Sequence, residues 1–171
     1  MKKFIVLLLA VFVAMGVAIG QNADKKWALG LGPGVNMNLE SSESNILGNI
    51  YLSRYLNPSF DLMLDNRAAF YEDGTDLVNP LLNLRYKLNN GYIFKEKSAI
   101  QPYLFGGVGY LFDNQAEGVN FDGGVGVKVP VSPSTSLFVA GSYVKGIEGN
   151  RMVNGVSTAI TDDLFQITII L

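Results

Sequence analysis

Residues Asn120 to Val131 read NFDGGVGVKVPV. Phe121, Val125, Val127, Val129 and Val131 fall at alternate positions, with Asn120, Asp122, Gly124, Gly126 and Lys128 between them. Strict alternation specifies a β-strand, because successive side chains leave a strand on opposite faces. It does not say which face meets water. In a soluble sandwich the apolar side is the core. In a membrane barrel it is the outside, and the charges are enclosed.

The same alternation recurs along the chain. Trp27 to Leu39 carries Trp, Leu, Leu, Pro, Val, Met and Leu at odd positions, against Ala28, Gly30, Gly32, Gly34, Asn36 and Asn38. Phe60 to Tyr71 sets Phe60, Leu62, Leu64, Asn66, Ala68 and Phe70 against Asp61, Met63, Asp65, Arg67, Ala69 and Tyr71. Val78 to Leu88 and Ile100 to Phe112 follow suit, as do segments marked by Leu137, Val139, Gly141 and Tyr143 and by Phe165, Ile167, Ile169 and Leu171. A segment around Ile46 to Leu56 is less clean, since Arg54 shares a side with Ile50 and Leu52 and leaves its register open.

Short Pro turns at Asn57-Pro58-Ser59 and Ser132-Pro133-Ser134, and a longer link from Asn89-Asn90-Gly91 to about Ala99, join these segments. They alternate with polar links at 40–45, 72–76, 113–118 and 145–160. Eight antiparallel strands of roughly ten residues match the length that crosses a bilayer at a tilt.

The distribution of charge and rings decides the orientation. In the clean segments the apolar face carries no Asp, Glu, Lys or Arg, while the opposite face carries Asp61, Asp65, Arg67, Arg85, Lys87, Asp122 and Lys128. On the apolar face Trp27, Phe60 and Tyr86 fall near one end of their strands. Phe70, Tyr110, Phe112, Phe121, Tyr143 and Phe165 fall near the other, with aliphatic residues between. A soluble core places its largest rings where burial is deepest. A bilayer places them at both rims, at headgroup level. Two aromatic girdles around an aliphatic belt put lipid outside.

The other face then lines a lumen that side chains fill at this strand number. Tyr71, Tyr103, Phe105 and Phe138 are expected to occupy much of it. The three acidic and four basic residues named above are expected to form an internal ion-pair network with trapped water, because buried charge is costly unless paired. A polar ion path is the functional alternative for the same residues.

The ends and composition bound the function. Lys2 and Lys3 precede the apolar run Phe4 to Met15, and Ala18 and Gly20 stand at −3 and −1 of a cut before Gln21, the layout of a secretory signal peptide. The expected architecture is all-β: an eight-stranded antiparallel up-and-down transmembrane β-barrel over residues 21–171, preceded by a cleavable signal-peptide helix over residues 1–20. The chain has 13 basic and 15 acidic residues, no basic cluster, no Cys and no His. Nucleic acid is therefore not an expected partner, and histidine-based triads and most zinc sites are excluded. No catalytic residue, cofactor or metal site is expected. The glycine-rich stretches GLGPG (30–34) and GGVGVK (123–128) precede no helix and hold no phosphate-loop pattern. Asp162-Asp163 fits a solvated loop end better than a metal pair, which needs more oxygen donors.

RYLNPSFDL (54–62), QPYLFGGVGY (101–110) and VKVPVSPSTSLFVAGSYV (127–144) resemble the small outer-membrane β-barrel domains of Gram-negative bacteria, the OmpA/OmpX-like or porin-family barrels. The resemblance runs from about Trp27 to Leu171. It implies a monomeric protein of the cell outer membrane, with outer-membrane lipid and the barrel-assembly machinery as partners and both termini in the periplasm. The family's known lipid A acyltransferase and deacylase, and its protease, lean on a histidine absent here. Two departures stand out: no peptidoglycan-binding domain follows the barrel, so tethering to the cell wall is not expected, and the last strand ends in Leu171 rather than an aromatic residue. The expected function is a non-enzymatic structural or surface-presentation role. A narrow pore for small solutes or apolar molecules, and adhesion through 145–160, are the alternatives.

Overall fold

The structure, a computed structural model, describes residues 26–39, 44–70, 76–112, 116–153, 156–159 and 163–171. The expected signal peptide at 1–20, Tyr71 and Asp162 lie outside the described residues. The strands are β1 (Trp27–Asn38), β2 (Ser44–Tyr55), β3 (Phe60–Phe70), β4 (Asp76–Lys87), β5 (Gln101–Phe112), β6 (Ala116–Pro130), β7 (Ser136–Val153), β8 (Val156–Ala159) and β9 (Asp163–Ile170). Successive strands from β1 to β7 pair antiparallel, β7 pairs β9, and β9 pairs β1. Strands β1 to β7 and β9 therefore close on themselves as an eight-stranded barrel, and β8 pairs with the far end of β7 outside that ring.

Two sequence expectations change. The register of β2 is set by its pairing with β1, from Trp27↔Arg54 to Met37↔Ser44. Ile46, Ile50, Leu52 and Arg54 point outward, and Leu47, Asn49, Tyr51 and Ser53 inward. Arg54 is no exception to the apolar face: its guanidinium lies 5.5 Å from the centre of the Trp27 ring at the barrel end, where a charge reaches the headgroup region. The second change concerns 145–160, whose described residues, 145–153 and 156–159, are β-structured rather than a plain link. Beyond Lys145↔Asp163, β7 leaves β9 and continues along β6 and then β8, with pairs from Asn150↔Ala159 to Val153↔Val156. Gly, Glu and Asn do not announce a strand, but pairing to both neighbours satisfies the backbone there.

Turns bring both chain ends to one end of the barrel, here called the terminal end. It also holds the β2–β3 turn, the β4–β5 link and the β6–β7 turn. Asn57 Oδ1 accepts from the amides of Ser59 (2.9 Å) and Phe60 (2.8 Å), a side-chain mimic of a backbone turn.

The β6–β7 register shifts between Val119 and Asn120, and two prolines interrupt the ladder elsewhere in the wall. The β4–β5 register passes from Val78↔Phe112 to Leu81↔Gly109, omitting Pro80. The β1–β9 register stops at Gly34↔Thr168 and is renewed by reciprocal 3.0 Å bonds between Leu31 and Leu171, omitting Pro33. Even-numbered residues of β4 bond toward β5, as Leu88 N to Pro102 O shows, so the missing Pro80 amide would have met Tyr110. By the same parity Pro33 faces Ile169. Four strands separate these seams in either direction around the ring. At the β1–β9 seam a Cβ on inward Gly32 would strike the Ile169 carbonyl, so only glycine permits this approach. Pro80→Val or Pro33→Val restores one amide donor, and each is expected to stabilise the barrel by about 1 kcal/mol. A raised temperature for loss of the fast-migrating folded band on gels checks this. An unchanged or lowered temperature would show that the seams are not weak points.

Candidate functional site

Burial is inverted relative to a soluble protein. Leu62, Leu64, Leu82, Leu84, Leu104, Val108, Val125, Val139 and Ile169 are exposed on the outer wall, while Asp61, Asp65, Arg67, Arg85 and Asp122 are buried. Soluble chains leave Asp and Arg outside and do not expose a continuous aliphatic belt. Water is thus the wrong solvent for this wall, and acyl chains are the right one.

The rings frame that belt. Trp27, Phe60 and Tyr86 stand on the outer face at the terminal end, with Phe60 and Tyr86 in contact at 5.1 Å between centroids. Phe70, Tyr110, Phe112, Phe121, Tyr143 and Phe165 stand on the same face toward the other end, Tyr110 and Phe112 in contact at 4.7 Å.

The lumen is stratified. Its middle layer centres on Arg67, only 2 % exposed. Arg67 donates from Nε to Asp65 Oδ2 (2.9 Å), from Nη2 to Asp122 Oδ2 (2.8 Å), and from Nη1 to Ser142 Oγ (2.9 Å) and Gln166 Oε1 (2.6 Å). Asn49 Nδ2 donates to Asp65 (2.6 Å), Asn83 Nδ2 to Asp122 (2.9 Å) and Gln166 Nε2 to Asn36 (3.0 Å). Side chains from β1, β2, β3, β4, β6, β7 and β9 are thereby joined around one guanidinium. β5 contributes Gly107 and Gly109 at this level. A Cβ on Gly107 would strike Asn83 Oδ1 and the Leu82 carbonyl, so the strand's lack of side chains makes the room.

Above it, toward the end away from the termini, Leu47, Ala69, Leu77, Leu111, Val144 and Leu164 form an aliphatic layer. Below it, Tyr51, Met63, Tyr103, Phe105, Phe138 and Ile170 form an aromatic layer. Arg85 lies against the rings of Tyr103 (5.3 Å) and Phe138 (5.1 Å) and pairs with Asp61 at 2.8 Å. Lys87 shares Asp61 at 2.6 Å and also donates to the Asn57 carbonyl. Lys128 lies 5.7 Å from the centre of the Phe138 ring.

All seven charged residues singled out from the sequence thus turn inward, but they make two clusters rather than one. Arg67, Asp65 and Asp122 hold the middle, and Asp61, Arg85 and Lys87 the terminal end, with Lys128 near Arg85 across Phe138. Asn49, Ser142 and Gln166 were missed as members. Their inward parity on alternating strands is the signal that marks them. The lumen is also less uniformly polar than its charges suggest, because the aliphatic layer closes one end.

Buried Asn49 Oδ1, Asn79 Nδ2, Asn83 Oδ1 and Asn120 Oδ1 have no partner among the described residues. Polar atoms so placed are where bound water satisfies a protein interior. Among the described residues no group of three or more His, Cys, Asp or Glu could hold a metal ion. Asp163 instead pairs with Lys145 at 3.1 Å.

No family model and no curated protein matches this chain. Solved structures do. The chain is similar to Neisserial surface protein A, with a TM-score of 0.61 at 13 % identity, covering 83 % of this chain and 91 % of that one. The fold is that of the small outer-membrane barrels. More remote likenesses are the outer membrane protein OprG of Pseudomonas aeruginosa (TM-score 0.49, 11 % identity, covering 85 % and 94 %) and the outer membrane enzyme PagL (0.49, 13 %, 82 % and 96 %). At these identities the likeness concerns the fold.

Replacing Arg67 by Met strands two carboxylates in the middle layer. Breaking a buried pair from one side costs about 3–5 kcal/mol. The expected result is a lower urea midpoint for the barrel in vesicles, partly recovered when Asp65→Asn and Asp122→Asn are added. An unchanged midpoint in Arg67→Met would show that the network does not hold the barrel together.

Proposed function

We propose that this chain is a non-enzymatic, monomeric integral protein of the outer membrane, with a structural role in the envelope and a surface-presenting arm. The observation that carries the reading is the stratified lumen. An aliphatic layer, a hydrogen-bonded polar layer and an aromatic layer succeed one another along the axis, all from buried side chains. An ion crossing this path would have to displace the Arg67 network and then enter an apolar layer, each a step of several kcal/mol. A wall of this kind seals while the belt dissolves in lipid.

The termini then face the periplasm, and the β7–β8 arm faces outward. The arm is the element available for presentation, since β7 outruns β9 and pairs with β8 beyond it. Its partners in this reading are outer-membrane lipid and, during biogenesis, the barrel-assembly machinery. The fold likeness to a Neisserial surface protein supports the location.

Single-channel recording in planar bilayers tests the sealed lumen. No steady conductance is expected from the wild-type chain. Sustained openings that change size in Arg85→Ala or Lys128→Ala would replace this reading with a narrow pore. Shortening the β7–β8 arm is expected to leave folding intact.

A further inference from the structure

The β4–β5 link, residues 88–100, is tightly organised, yet it exposes apolar side chains. Asn90 is buried, and its Oδ1 accepts from the amides of Tyr92 (3.0 Å) and Ile93 (3.2 Å). Gly91, in the left-handed region at φ 86°, donates to the Phe94 carbonyl (3.0 Å), and Phe94 donates to the Leu88 carbonyl (3.0 Å). Asn90 Nδ2 also donates to the hydroxyl of Tyr86, a girdle residue, at 3.2 Å. Held in this way, Tyr92, Ile93 and Phe94 are 90 %, 52 % and 48 % exposed. A link bathed only in water gains nothing from ordering three apolar residues outward.

Beside it lies an open cavity of about 510 Å³, lined by Asn57, Pro58, Ser59, Phe60, Asn90, Gly91, Tyr92 and Glu96. Phe60 is an outward girdle residue, so the cavity continues the lipid-facing wall at headgroup height. Its one charged lining group is the Glu96 carboxylate, and Lys95 and Lys97 flank Glu96 in the chain.

We propose that this cavity seats the headgroup of an aminophospholipid, of the phosphatidylethanolamine type, from the leaflet at the terminal end of the barrel. The Glu96 carboxylate takes the ammonium, and Tyr92, Ile93 and Phe94 enter the interface beside the acyl chains. Amphipathic rings favour that depth. A purely anionic headgroup is disfavoured, because a carboxylate lines the cavity and nothing in the lining is cationic. The site rests on the outer wall facing lipid.

The test is native mass spectrometry of the folded barrel released from bilayers of phosphatidylcholine doped with equal minor shares of phosphatidylethanolamine and phosphatidylglycerol. The wild-type chain is expected to retain phosphatidylethanolamine over both others. Glu96→Gln is expected to reduce that preference about tenfold, the effect of losing one hydrogen bond to a charged group. Tyr92→Ser with Phe94→Ser is expected to lower retention of every lipid. Equal retention of the three lipids, a preference for phosphatidylglycerol, or an unchanged preference in Glu96→Gln would each overturn the proposal. The heat-dependent gel shift of the same samples separates this from failure of the membrane reading: a chain that is not a lipid-embedded barrel shows no shift, whatever it retains.

Discussion

The structure depends on the burial of one guanidinium. Arg67 is buried away from bulk water, and Asp65, Asp122, Ser142 and Gln166 converge on it to offset the cost of burying its charge. Asp65 is a neighbour on β3, but Asp122, Ser142 and Gln166 lie on strands distant in sequence, up to 99 residues away. They converge only if the sheet has closed in the right register. A one-residue slip in any contributing strand would turn its polar groups into lipid and its aliphatic residues inward. The network therefore works as a register check on the whole barrel, and its cost falls on every misaligned alternative.

Closure and solvation reinforce each other. In hydrocarbon every backbone amide and carbonyl needs an internal partner, and a closed antiparallel ring supplies nearly all of them. Among the described residues, Pro33 and Pro80 each omit a ladder bond within the wall. Both lie beside inward glycines, Gly32 and Gly109, where the strands come close enough for backbone to face backbone.

Along the axis, the lumen changes character twice. Aliphatic packing faces one end, the Arg67 network fills the middle, and Arg85, Lys87 and Asp61 sit among rings at the terminal end. Arg85 lies between two aromatic faces while pairing with Asp61, so ring quadrupoles and a carboxylate both act on one cation. Outside, at that same end, ordered apolar residues of the 88–100 link meet the girdle ring of Tyr86 through Asn90.

Local residue order determined the strands, the face each side chain takes and the two aromatic rims, because a period of two and the solvent preference of rings are properties of neighbouring positions. Asp65 and Arg67 could be placed inside from their own strand alone. The register of β2 could not, since Arg54 looked misplaced until pairing set it over Trp27. Nor could the β-structure of 145–153 and 156–159, where the residues have weak strand preference and the neighbours decide. Which charges meet was likewise a tertiary matter: seven inward residues could pair in many ways, and only the height of each strand in the closed ring divides them into the Arg67 and Asp61 clusters. Periodicity is written locally, whereas the choice of partner depends on the stagger between strands far apart in the chain.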